Sequence, residues 1–94
     1  MQFKDLEWKD AVSEGVIVCS HCEINLCGWI NMEFKINHEP NEDKYMLYAF
    51  GKGSNRRLEP EKYDSVESAK NAAYRIYSNE MSRIKKAIDY LVAT

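Results

Sequence analysis

Apolar and polar residues alternate most regularly over residues 30–36. The apolar members of this run are Ile30, Met32, Phe34 and Ile36, and a polar residue follows each of the first three. Because side chains of a β-strand point to opposite faces in turn, this pattern predicts a strand with one buried and one solvated face. It is the clearest strand signal in the chain.

Shorter apolar runs predict neighbouring strands. Residues 16–22 begin with β-branched side chains, and residues 45–50 are rich in aromatic and aliphatic ones. The polar segment 37–43 and the glycine-containing segment 51–55 are typical of turns. Weaker signals predict an opening strand around Leu6 and Trp8 and a short charged edge strand over residues 56–59, which Pro60 ends.

A long C-terminal helix is predicted from about residue 65 to 92. Its apolar residues recur at steps of three and four, and they are Val66, Ala69, Ala73, Ile76, Met81, Ile84, Ala87, Ile88 and Leu91. Asp64 or Ser65 is suited to cap its first turn, since a short polar side chain accepts a bond from a free backbone N–H. We expect the apolar side to pack on the sheet, with a kink or break near Ser78 and Asn79.

These elements define an α+β fold, in which an antiparallel sheet of about four strands is packed by one long helix. The 94 residues are expected to form a single domain, residues 1–94, with one core. No apolar run approaches the ~20 residues that span a bilayer, and the N-terminus lacks the apolar segment of a signal peptide. We therefore expect no membrane association and a cytoplasmic location.

Charge is distributed unevenly along the chain. Residues 1–50 contain nine acidic and four basic residues, whereas residues 51–94 contain six acidic and nine basic ones. Glu39, Glu42 and Asp43 lie in one predicted turn and are candidates for contact with a cationic partner. Complementary charge of this kind raises association rates.

An alternative site follows from Lys52, Arg56 and Arg57, which lie in or beside a glycine turn near several aromatic residues. Basic side chains interleaved with aromatics are typical of nucleic-acid-binding surfaces. The acidic sequence pI of about 5.7 argues against strong backbone binding. Nucleic acid thus remains an alternative partner, and an exposed aromatic face with free sheet edges also admits a homodimer.

Cysteine and histidine offer one candidate for metal chemistry. Cys19 and Cys22 have the Cys-x-x-Cys spacing of zinc ligands, and Cys27 and His38 could complete a tetrahedral set. In a strand, however, Cys19 and Cys22 face opposite sides of the sheet. The sequence leaves open whether the four residues converge, and we predict neither a metal nor another cofactor.

The sequence contains no recognisable catalytic set. His21 lies beside Cys19 and Cys22, but a hydrolytic Cys–His pair also requires an oxyanion hole and a substrate cleft. A sheet with a single helix leaves little room for either feature. We therefore expect a protein without enzymatic activity.

The C-terminal third resembles a group of small proteins encoded by bacteriophages and prophages. Residues 65–73 have the pattern S-x-E-x-A-K-x-A-A after Tyr63, and Leu6-Glu7-Trp8 matches the L-x-W that opens the strand meander of those proteins. The cysteine segment and the Arg56-Arg57 turn are not part of that pattern. The resemblance implies a mobile-element context, in which small proteins include inhibitors of host defence such as anti-CRISPRs.

Together these observations favour a binding protein. The leading hypothesis is a phage-encoded inhibitor that occludes a host protein or protein complex, with Glu39, Glu42 and Asp43 covering a nucleic-acid-binding surface of the target. The alternative is a small nucleic-acid-binding or regulatory module that uses Lys52, Arg56 and Arg57.

Overall fold

The computed structural model of the chain describes residues 5–27, 30–52 and 60–92. It has five strands followed by one helix: β1 (Lys9–Ser13), β2 (Val16–Cys27), β3 (Ile30–Glu39), β4 (Lys44–Lys52), β5 (Glu61–Tyr63) and α1 (Val66–Leu91). All strand pairs are antiparallel, and the spatial order β1-β2-β3-β4-β5 is the order along the chain. The α+β class is therefore confirmed, with five strands where the sequence predicted about four.

The first strand begins later than predicted. Leu6 and Trp8 precede β1, which is an edge strand whose five residues are all exposed. A two-residue turn joins β1 to β2, and both of its residues, Glu14 at φ 52° and Gly15 at φ 78°, have the positive φ of a type I′ hairpin. An exposed edge strand has no apolar alternation, so periodicity alone did not locate it.

The central strands are longer than predicted. β2 continues past Cys22 to Cys27, and β3 continues through His38 to Glu39 before a turn at residues 40–43. β3 is hydrogen-bonded to a strand on each side, β2 and β4. This pairing continues beyond the apolar residues of β3 into the polar residues at its end. The predicted edge strand at 56–59 lies outside the described residues, and the strand at that edge of the described sheet, β5, follows Pro60.

One face of the sheet forms the core with α1. Cys22, Phe34 and Ala49 lie side by side on adjacent strands, as do Ser20, Ile36 and Leu47. Alanines on the helix allow its backbone to approach this face closely. The buried apolar residues are Cys22, Met32, Phe34, Ile36, Leu47, Ala69, Ala72, Ala73, Tyr77 and Met81.

The helix begins at its predicted cap. The Ser65 side chain accepts a bond from the Ser68 backbone N–H at 3.1 Å, while Asp64 pairs with Lys44 instead. The helix is continuous through Ser78 and Asn79. The expected break is absent because the neighbouring residues Tyr77, Glu80 and Met81 are buried, and their packing outweighs a weak local propensity.

The expectation that the helix packs on the sheet along its whole length is wrong for its last part. Met81 is its last buried residue and Ile84 the last that contacts the core. Beyond them Ile88 and Leu91 are exposed over 54% and 79% of their surface. The molecule is accordingly elongated, with extents of 55 × 23 × 21 Å. No helix among residues 5–27, 30–52 and 60–92 is long and apolar enough to cross a membrane.

Candidate functional site

The turn between β3 and β4 brings the three predicted acidic residues together. Glu39 is the last residue of β3, and Glu42 and Asp43 lie in the turn that follows. The backbone N–H of Glu42 donates to the Glu39 carbonyl at 3.3 Å and closes the turn. Asp43 has a φ of 50°, a left-handed conformation that Asp tolerates better than most residues. The carboxylates thus occupy one tight turn.

Two further carboxylates belong to a later part of the chain, after β5. β5 returns beside β4 so that Tyr63 is opposite Tyr45, and α1 begins immediately afterwards. Asp64 follows β5 and pairs with Lys44 at the start of β4, so it lies beside the turn, and Glu67 lies three residues further along, in the first turn of α1. We call the set Glu39, Glu42, Asp43, Asp64 and Glu67, with the lysines Lys44 and Lys62, the acidic end.

Both lysines of the acidic end are paired within it. Lys62 donates to Glu42, and Lys44 donates to Asp64. The bond to Lys44 lowers the pKa of the Asp64 carboxyl, and the same bond raises the pKa of the Lys44 ammonium. These contacts connect the β3–β4 turn and the start of β4 to β5 and to the residue before the cap of α1, so Glu42 and Asp64 are each held by an ion pair.

Asp43 has a partner as well. The His38 Nε2 atom lies 3.2 Å from its Oδ1 atom, and the His38 ring packs on Tyr45 with centroids 4.9 Å apart. Five carboxylates and two lysines give the acidic end a formal charge of −3.

A surface of this composition can bind cations. The carboxylates accept hydrogen bonds from arginine or lysine side chains, and a bidentate arginine bond is among the strongest available. Glu67 lies in the first turn of α1, where the helix dipole stabilises its negative charge. Sequence reasoning missed Asp64 and Glu67 as members, because more than twenty residues separate them from the turn. The return of β5 beside β4 brings Asp64 close to the turn.

The structure describes only one of the three residues of the alternative basic site. Lys52 is the last residue of β4 and lies opposite Asn31, at the other end of the strand from Lys44. The acidic end and Lys52 therefore lie at opposite ends of the sheet. Arg56 and Arg57 lie outside the described residues, so the proposed convergence of these three basic residues stays a prediction.

The cysteine and histidine candidates do not converge. Cys22 is 2% exposed in the core, whereas Cys19 is half-buried and lies on the opposite face of β2. Cys27 pairs with the first residue of β3, and His38 lies eight residues further along that strand, roughly 26 Å away at the rise of a β-strand. No cluster of three or more metal-ligating side chains is found among the described residues.

The sheet face opposite the helix has a polar centre. His21 Nε2 lies 2.8 Å from Glu33 Oε1, diagonally across β2 and β3. Cys19 is on the same face, but no hydrogen bond joins it to His21 or Glu33. Tyr48 is half-buried and Phe50 43% exposed on the adjacent strand. Among the described residues, this face thus offers an aromatic patch beside a hydrogen-bonded histidine–glutamate pair and no assembled nucleophile.

Comparisons with models of known protein families, with curated proteins and with solved structures found no significant match to this chain. Functional inference therefore depends on the geometry of the chain itself.

Proposed function

We propose that this chain is a protein-binding module without enzymatic activity, which covers a cationic surface of a host protein through its acidic end. The observation that supports the proposal is that Glu42, Asp43 and Asp64 are each paired with a neighbouring side chain at the β3–β4 turn. Glu39 lies beside the same turn, and Glu67 lies in the first turn of α1. Ion pairs and a hydrogen bond hold Glu42, Asp43 and Asp64 before a partner arrives. Such preorganisation reduces the ordering cost of binding.

The carboxylates of the acidic end indicate which class of protein surface it would bind. A patch of carboxylates is complementary to arginine-rich and lysine-rich surfaces, including those that bind nucleic acid. Occupying such a surface would block the target. The resemblance of the C-terminal segment to phage proteins is consistent with an inhibitor of host defence that acts in the cytosol.

Charge reversal tests the proposal directly. The variant Glu39→Lys/Glu42→Lys/Asp43→Asn changes the net charge by +5, and Asp43→Asn keeps a residue that tolerates positive φ. A matched control, Asp5→Asn/Glu7→Lys/Glu23→Lys, makes the same change in net charge at exposed positions away from the acidic end. Comparison of the two separates local recognition from overall charge.

The measurement is affinity capture from nuclease-treated and untreated bacterial lysate, with bound proteins quantified by mass spectrometry. We expect a stoichiometric protein partner that survives nuclease, is retained by the control variant and is lost by the acidic-end variant. Equal retention by both variants would contradict the role of the acidic end. Loss of all partners after nuclease would favour the alternative module that uses Lys52, Arg56 and Arg57.

A further inference from the structure

An open cleft lies between the segment that precedes β1 and one side of α1. Residues 5–8 form one wall, and the second and third turns of the helix form the other. Its volume of about 500 Å³ is within the range of small-molecule binding sites. We call it the N-terminal cleft, and the lining residues that matter below are Asp5, Trp8, Lys70, Asn71, Tyr74 and Arg75.

The wall formed by the N-terminal segment is held by the core. Leu6 and Trp8 are partly buried and pack against the buried residues under the helix. The centroids of the Trp8 and Phe34 rings are 6.5 Å apart, and the Lys70 Nζ atom lies 5.5 Å from the centre of the Trp8 ring. Contacts within the chain therefore position the indole, so a ligand does not have to order it.

The two cations of the cleft differ in their surroundings. Lys70 Nζ lies 3.2 Å from Asp10 Oδ1, so its charge is already balanced within the protein. Arg75 is exposed, and no hydrogen bond or ion pair joins its guanidinium to another residue in the part of the chain that the structure describes. Arg75 is thus available to an anion, and a guanidinium binds phosphate through two parallel hydrogen bonds.

Aromatic and polar side chains line the rest of the cleft. Trp8 and Tyr74 supply aromatic surface on which a planar ring can stack. Asn71 precedes Arg75 by one helical turn and offers an amide donor and acceptor, while the Asp5 carboxylate offers acceptors. Proteins bind single nucleobases by combining aromatic stacking with hydrogen bonds to the polar edges of the base.

We infer that the N-terminal cleft binds a nucleoside monophosphate. The base stacks on aromatic surface of the cleft, the phosphate binds Arg75, and Asn71 and Asp5 hydrogen-bond to the base or the ribose. An aliphatic anion would leave the aromatic surface unused, and a neutral aromatic ligand would leave Arg75 unpaired. This inference does not depend on the proposed function, because no lining residue of the cleft belongs to the acidic end.

An NMR titration of the isotope-labelled wild-type chain with AMP tests the inference. We expect the amide signals of residues 5–8 and 70–75 and the Trp8 indole signal to shift together. The dissociation constant should lie between roughly 10 µM and 1 mM, since an open cleft surrounds only part of the ligand. Absence of shifts at these residues up to about 10 mM AMP overturns the inference.

Two partial ligands separate the contributions of base and phosphate. Adenosine lacks the phosphate and inorganic phosphate lacks the base, so each should bind at least ~10-fold more weakly than AMP. If either binds as tightly as AMP, the cleft does not recognise a nucleotide and the inference is wrong.

The same chemistry occurs in a free nucleotide and at the end of a nucleic-acid strand. A 5′-phosphorylated oligoadenylate of about five nucleotides distinguishes these two sources. Equal or weaker binding than AMP at the same residues identifies the free nucleotide as the ligand. Tighter binding at those residues identifies the end of a strand.

A pair of variants tests the role of Arg75. Arg75→Ala should raise the dissociation constant for AMP at least ~10-fold, because the charge-assisted hydrogen bond is lost. Lys86→Ala is the matched control, since it removes the same charge from an exposed position of α1 outside the cleft, and it should leave the constant unchanged. Circular dichroism checks that both are folded. Equal weakening by the two variants would show that net charge, and not the cleft, attracts AMP.

Discussion

Asp10 and Ser20 face each other across β1 and β2 on the helix side of the sheet, and the buried Ser20 hydroxyl donates a hydrogen bond to the Asp10 carboxylate. Lys70 of α1 approaches the same carboxylate at 3.2 Å and lies 5.5 Å from the centre of the Trp8 ring. The edge strand, which buries none of its own residues, is thereby connected to both β2 and the helix.

Removing Asp10 should destabilise the protein through Ser20. In Asp10→Ala the fully buried hydroxyl has no acceptor in this position, which costs about 1–3 kcal/mol in the free energy of unfolding. Asp10→Asn keeps an acceptor and should lose less than about 1 kcal/mol. Urea denaturation measures both. In a double-mutant cycle, Asp10→Ala/Ser20→Ala should cost less than the two single variants together. Additive losses would show that the two side chains are not coupled.

The same carboxylate should make stability depend on pH in the acid range. The Ser20 hydrogen bond, followed by the Lys70 charge, lowers the pKa of Asp10 in the folded protein. Its contribution to stability is therefore complete above the unfolded pKa of about 3.9 and is lost as pH falls through the lower folded value. Thermal unfolding between about pH 2 and pH 6 should show a shallower decline for Asp10→Asn than for the wild type. Glu23→Gln, an exposed carboxylate outside this network, should behave like the wild type.

Phe34 and Phe50 allow a comparison of the two faces of the sheet. Phe34 is 1% exposed under the helix, and Phe50 lies on the outer face of the neighbouring strand. Phe34→Ala should cost about 3–5 kcal/mol, since it leaves a cavity among close-packed side chains. Phe50→Ala should cost about 1 kcal/mol or less. Chemical denaturation of both variants checks the difference, and similar losses would contradict the assignment of the core face.

The two described cysteines should differ in reactivity. Burial raises the pKa of the Cys22 thiol, and Cys22 is enclosed in the core, whereas Cys19 is partly accessible on the outer face. In a Cys27→Ser background, a thiol reagent such as DTNB should modify one cysteine in the folded protein and a second only after denaturant is added. Peptide mapping should identify Cys19 as the fast site. Equal rates for both thiols would mean that the strand does not separate them as described.

The sequence predicted the strands and the helix in which apolar residues recur at a regular spacing. The alternation over 30–36 is confirmed by burial of Met32, Phe34 and Ile36, and the cap at Ser65 is confirmed by its bond to Ser68. β1 was misplaced because exposed edge strands have no such period. Its position follows from the Glu14-Gly15 turn, a local signal that strand patterns do not include.

The helix and the acidic end show which features of the structure a local sequence pattern cannot predict. The three- and four-residue spacing of α1 continues to Leu91, but periodicity does not tell which neighbour covers the apolar side, and the sheet covers it only as far as Ile84. Similarly, the sequence predicted the acidic cluster of Glu39, Glu42 and Asp43, because these residues lie within five positions of one another. Asp64 joins them through the order of the strands, which no local pattern specifies.

The order of the strands also affects how the chain folds. Each strand pairs with the next one along the chain, so most contacts close short loops, and low contact order is associated with fast folding. The helix that covers Phe34, Ile36 and Leu47 is synthesised last. During translation the completed meander would therefore expose its apolar face until residues 66–84 leave the ribosome. The nascent chain is most prone to aggregate in that interval.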